Sequence, residues 1–72
     1  MDKKLLKKVA KRIKSLRKDF KYTQDDLSYH SEIARSTIGN IETAQNDVTL
    51  TKLNKIAKAF NLSLSEFLNF DN

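Results

Sequence analysis

Arg35, Ser36, Thr37 and Asn40 lie within six residues of one another. Their chemistry is that of reading hydrogen-bonding edges, not of making bonds. An arginine fork pairs bidentately with guanine O6 and N7, and an asparagine amide with adenine N6 and N7. Hydroxyls serve bases or phosphates, and a methyl such as that of Ala34 can touch thymine. Catalytic groups are scarce. The chain has one His and no Cys, which removes thiol chemistry, disulfides, zinc ribbons and multi-His metal sites together. Asp25 and Asp26 suit a helix start better than a carboxylate dyad, and His30 suits a helix C-terminus. No Gly-rich loop is present to cradle a phosphate, since Gly39 is the only glycine. The expectation is a protein that is not an enzyme, with no cofactor and no metal.

These side chains need helices to place them, and the apolar periodicity supplies five. Leu5, Leu6, Val9, Ile13, Leu16 and Phe20 recur at spacings of three and four, which predicts a helix over about 2–19. Thr23 reads as an N-cap, with Asp25 and Asp26 at the positive end of a short helix over about 24–30 around Leu27. A third helix spans about 34–43, with Ile38 and Ile41 facing inward and Ile33 packing just before it. Ala34 is a poor cap there, and Ser31 is the nearer polar candidate. Thr49 caps a fourth helix over about 50–60, carrying Leu50, Leu53, Ile56, Ala57 and Phe60. Asn61 can end it in a left-handed conformation. Ser63-Leu64-Ser65-Glu66 is a capping box that opens a fifth helix over about 64–70.

The expectation is therefore a single all-α domain over residues 1–72. No proline and one glycine argue against a turn-rich β fold. No apolar run approaches the roughly 20 residues of a membrane span, and no signal-peptide pattern follows the basic start, so the chain reads as cytoplasmic. Charge is uneven: residues 1–21 carry ten Lys/Arg against two acidic residues, a net +8, and the remainder is net −3. Such a segment suits a polyanion, either nucleic acid or an anionic membrane surface, or is simply a solvated helix face. The membrane option is the weaker, because a five-helix core would consume the apolar stripe.

Two short helices joined by a tight turn, over 24–30 and 34–43, form a possible helix-turn-helix, whose second helix enters the DNA major groove. The plain alternative is an amphipathic surface helix. Gly39 sits mid-helix at a cost of about 1 kcal/mol against Ala. Close approach to DNA or to the preceding helix would account for it. Beyond this, the order Thr23-Gln24-Asp25-Asp26-Leu27, Ile33-Ala34-Arg35-Ser36-Thr37-Ile38, Ile41-Glu42 and Leu50-Thr51-Lys52-Leu53-Asn54-Lys55-Ile56-Ala57-Lys58-Ala59-Phe60 resembles the lambda-repressor-like (XRE-type) helix-turn-helix family. The resemblance covers about Ile13 to Phe67. The stretch from Ile41-Glu42 to Asn46-Asp47-Val48-Thr49-Leu50 looks most like the controller proteins of restriction-modification systems.

That resemblance implies a compact five-helix domain and a transcriptional regulator that binds a palindromic operator in double-stranded DNA as a homodimer. Arg35, Ser36, Thr37 and Asn40 match the family's base-reading positions. Gln24 matches its phosphate anchor. Thr23 beside it, and Thr43, Gln45 and Asn46 in the loop after the third helix, fall where the DNA backbone is touched. Arg17 and Glu42 match a pair bridging the first and third helices. Lys21, Glu32 and Ala44 stand where the family favours Gly, so each implies a left-handed penalty or a changed loop. Leu64, Phe67, Leu68 and Phe70 carry more apolar surface than one short helix can bury, which suggests a dimer interface. An antitoxin or phage-type repressor, whose work includes binding a protein partner, is the alternative on the same scaffold.

Overall fold

Asp2 opens the first helix by accepting the Leu5 N–H at 2.8 Å. In the computed structural model, which describes residues 2–70, this helix, α1, runs Lys3–Phe20. Asp2 is thus the cap and not the first helical residue. Leu6, Val9, Ala10, Ile13 and Leu16 form the buried stripe that the spacing predicts. Four further helices follow: α2 (Gln24–Ser31), α3 (Arg35–Glu42), α4 (Leu50–Ala59) and α5 (Leu64–Phe67). Among the described residues there is no strand, and no helix is long and apolar enough to cross a membrane.

Each helix start but one is fixed by a local side chain. Thr23 and Asp26 form a capping box on α2, Ser63 and Glu66 form another on α5, and Thr49 caps α4. The backbone N–H of Thr23 first, and its hydroxyl second, hold the Asp26 carboxyl below its ordinary range. Ser63 lowers Glu66 in the same way. The exception is α3, where Ala34 occupies the cap position and makes no side-chain bond. Ser31 does not cap α3 either. It is buried, and its Oγ accepts the Ile33 N–H at 3.3 Å, while Ser28 Oγ donates to the Ile33 carbonyl at 2.6 Å. The two serines therefore shape the turn into α3 and leave its N-terminus unpartnered by side chains.

Four corners turn through left-handed residues, and none is glycine: Lys21, Glu32, Ala44 and Asn61, all at φ between 56° and 59°. At three of them the chain closes with paired backbone bonds, such as Ala44 N–H to the Ile41 carbonyl and Gln45 N–H to the Asn40 carbonyl. The corners keep their short lengths, so the non-glycine residues carry the left-handed penalty instead of lengthening the loops.

One core serves all five helices. Ile13, Leu27, Ile56 and Phe67 are fully buried at its centre, with Ile38, Leu53 and Phe60 beside them. Of the apolar residues that α4 carries, Leu50 stands apart: it lies in the first turn and is 68% exposed, while Leu53, Ile56, Ala57 and, at the C-cap, Phe60 are buried. α5 ends at Phe67, so Phe70 lies beyond it. The tip of this helix is fastened from far away in sequence, since Arg12 of α1 donates from Nε to the Phe67 carbonyl at 3.0 Å and from Nη2 to that of Glu66 at 3.1 Å.

Replacing Ala44 or Lys21 by Gly should relieve left-handed strain and stabilise the fold by about 1 kcal/mol each. Urea denaturation should show a higher midpoint with an unchanged slope; a lower midpoint for both would refute the strain.

Candidate nucleic-acid interface

The buried side of α3 is Ile38, Ile41 and Glu42, which turns the other side outward. Ala34, Arg35, Ser36 and Asn40 are exposed, and Thr37 is half-buried at the edge. The four candidate base readers thus share one accessible face. Arg35 is engaged, however: its Nε lies 3.0 Å from Asp25 Oδ1 in the first turn of α2, with both side chains well exposed at 63% and 77%. Sequence reasoning missed this pairing.

What holds α3 in place is a buried carboxylate. Glu42, 5% exposed, closes the last turn of α3, where the helix dipole disfavours a negative charge. Arg17 from α1 answers with a bidentate grip, Nε to Oε2 at 2.6 Å and Nη2 to Oε1 at 2.9 Å. Its third nitrogen, Nη1, donates to the Tyr22 carbonyl at 2.9 Å. The Glu42 hydrogen bond raises the Arg17 pKa against the opposing effect of burial. Gln24 completes the group, donating from Nε2 to Glu42 Oε1 at 3.0 Å. One carboxylate therefore joins α1, the start of α2 and the end of α3.

Gln24 keeps a second amide hydrogen and its own backbone N–H, a helix N-terminal donor, so it retains the chemistry of a phosphate anchor. Thr23 is engaged in the capping box, its hydroxyl oxygen accepting the Asp26 N–H at 3.0 Å and the same hydroxyl helping to hold the Asp26 carboxyl. Thr43 is exposed just past α3, its one hydroxyl proton shared between the Gly39 and Asn40 carbonyls at 3.1 Å each. Gln45 and Asn46 are exposed in the following loop. Asn46 lines a hollow of about 160 Å³ with Thr37, Asn40, Asp47 and Lys52. Lys52 is an exposed cation that sequence reasoning left out; its place in the first turn of α4, just past the loop, was the available signal. Gly39 has no tight neighbour, since a Cβ there would come no nearer than 4.0 Å to Gln24 Oε1. Close packing on α2 therefore does not explain it.

A helix-turn-helix family model (HTH_3) matches residues 13–67. The chain belongs to this family. Among solved structures, the restriction-modification controller protein C.AhdI from Aeromonas hydrophila superposes with a TM-score of 0.81 at 31% identity, over 86% of this chain and 94% of that one. The controller protein C.Esp1396I, solved as a tetramer in complex with its natural 35 base-pair operator, superposes at 0.80 with 36% identity, over 89% of this chain and 88% of that one. An HTH_3 family transcriptional regulator from Vibrio cholerae gives 0.86 at 27% identity, over 93% of this chain but 38% of its own longer one. No curated relative matches in sequence. The XRE-type resemblance and the five-helix lambda-repressor-like fold both hold.

Within this helix-turn-helix chain the apolar residues expected at a dimer interface divide. Phe67 has no exposed area and belongs to its own core, so it has no side chain left for a partner. Leu64, Leu68 and Phe70 are half-buried against that core and retain some surface. Among the described residues the most exposed large apolar side chains lie elsewhere, at Leu50 and at Tyr29, which is 81% exposed. Tyr22, by contrast, stacks on His30 at 4.8 Å and on Phe60 at 5.8 Å, sealing the corner after α1.

Removing Glu42 as Glu42→Ala strands Arg17 and Gln24 together and should cost about 3 kcal/mol in urea unfolding. The Arg17→Met, Glu42→Leu double variant should recover more than half of that. A loss under about 1 kcal/mol for the single variant would place the pair with ordinary surface ion pairs.

Proposed function

We propose that this chain is a transcriptional regulator that binds a two-fold symmetric operator in double-stranded DNA as a homodimer, in the manner of restriction-modification controller proteins. The observation that carries this reading is the outward polar face of α3 on a helix held rigidly by Glu42. A dimer would set two such helices about 34 Å apart, one turn of B-DNA. The likeness to C.Esp1396I, an operator-bound tetramer, supports the assembly and the ligand. Leu64, Leu68 and Phe70 are assigned to the dimer contact. The work is binding alone, with no catalytic step, cofactor or metal, and a double-stranded DNA ligand supports a cytoplasmic location.

The roles divide by chemistry. Arg35, Ser36, Thr37 and Asn40 read base edges. Gln24, Thr23, Thr43, Gln45 and Asn46 fix the register on phosphates with uncharged groups, and Lys52 adds a charged phosphate contact beside them. The ten basic residues of the first 21 attract the duplex from a distance. Gly39 lets the backbone of α3 come close to DNA, because no neighbour within the chain requires a missing side chain there.

The test begins with an operator selected from a randomised duplex pool. Arg35→Ala should lose about 1–3 kcal/mol on that operator and relax preference at one base pair, whereas Gln24→Ala should weaken all sequences alike. Equal losses on operator and random DNA for Arg35→Ala would reject its base-reading role.

Gly39→Ala separates fold from binding. It should raise stability by about 1 kcal/mol while weakening operator binding, read by thermal unfolding and by titration of labelled duplex. Binding that holds steady as stability rises would remove Gly39 from the interface.

A further inference from the structure

We propose that Asp25 is a positioning residue that sets the base specificity of Arg35. Its carboxylate lies beside Nε as an ion pair, leaves Nη1 and Nη2 for a base, and keeps the arginine off phosphates. The proposal rests on the reading that Arg35 contacts a base.

The fold has little use for this ion pair. Both partners are largely exposed, and an exposed pair contributes little to stability. The start of α2 is already capped by Thr23 and Asp26, and the favourable charge that Asp25 adds to its first turn does not require an arginine beside it. Its charge also has the wrong sign for the partner. A carboxylate beside a DNA-facing helix repels phosphates and lowers affinity for every sequence. What it can supply is discrimination. An arginine presents five N–H donors in a rigid fork. Asp25 Oδ1 lies 3.0 Å from Nε as an ion pair, so the carboxylate draws the guanidinium by charge at its Nε side and leaves Nη1 and Nη2 for a bidentate pair with guanine O6 and N7. Arg35 is also the first residue of α3, the end that enters the groove. Fixing its side chain before contact reduces the ordering cost of binding. The carboxylate also competes with phosphate oxygens for a guanidinium that would otherwise grip any backbone.

A double-mutant cycle tests this with Asp25→Ala, Arg35→Ala and the pair. Binding is measured on the selected operator, on its single-base-pair variants and on a random duplex, across a salt series. Circular dichroism confirms that each variant is folded. In the parent chain the base pair read by Arg35 should be discriminated roughly 5- to 150-fold. Asp25→Ala should cut that discrimination by about threefold or more at that position alone. It should raise random-duplex affinity several-fold and steepen the logarithmic salt slope by about 0.9, the signature of one added phosphate contact. In the Arg35→Ala background, Asp25→Ala should leave discrimination unchanged. A role confined to charge or helix stability would shift all duplexes by one factor, and that result overturns the proposal while leaving Arg35 as a reader. If Arg35→Ala itself preserves discrimination, the base-reading assignment falls and the proposal falls with it.

Discussion

The structure turns on the Glu42 carboxylate. It is buried at the helix end where a negative charge is least welcome, and it stands only because Arg17 and Gln24 supply three hydrogen bonds to it. Those bonds arrive from α1 and from the first residue of α2, so satisfying one buried charge also fixes the angle between three helices. The amide that would anchor a phosphate and the helix that would read bases are thereby referred to a common point.

This matters because α3 has little stability of its own. It is eight residues long, its cap position is an alanine without a side-chain bond, and it carries a glycine in its interior. Isolated helices shorter than about 12–15 residues are marginal in water. Its geometry must come from outside: Ile38 and Ile41 in the core, the Glu42 group at one end, and the Ser28–Ile33–Ser31 bonds of the turn at the other. Its outward positions are thus released from structural duty, which lets a set like Arg35, Ser36 and Asn40 occupy them.

What the sequence made legible is what acts over one turn of chain. Thr23, Thr49 and Ser63 cap residues three places on, and each is found where its neighbours point to it. The apolar period located all five helices, with ends displaced by a few residues at most. The Arg17–Glu42 pair was reached through the family pattern, since 25 residues separate its members. Contacts that depend on the angle between α2 and α3 were not legible. Asp25 reads as a helix-end charge until the turn brings it to Arg35, and Gln24 reads as a free amide until α3 presents Glu42. Thr43 looks like a loop hydroxyl until its rotamer sends the proton back to Gly39 and Asn40. The depth of Phe67 and the exposure of Leu50 were not legible for a related reason: periodicity says which residues share a helix face but not how deeply that face is pressed into its neighbours.

The latch between Arg12 and α5 bears on what the shortest helix contributes. Its bonds span 55 and 54 residues, and the side chain at the far end, Phe67, is fully buried in the core. Four residues of helix thus plug a space that α1 and α4 leave between them, and the guanidinium from α1 keeps the plug seated. A chain cut after α4 would expose that hollow to water, so α5 is a wall of the domain and not an appendage.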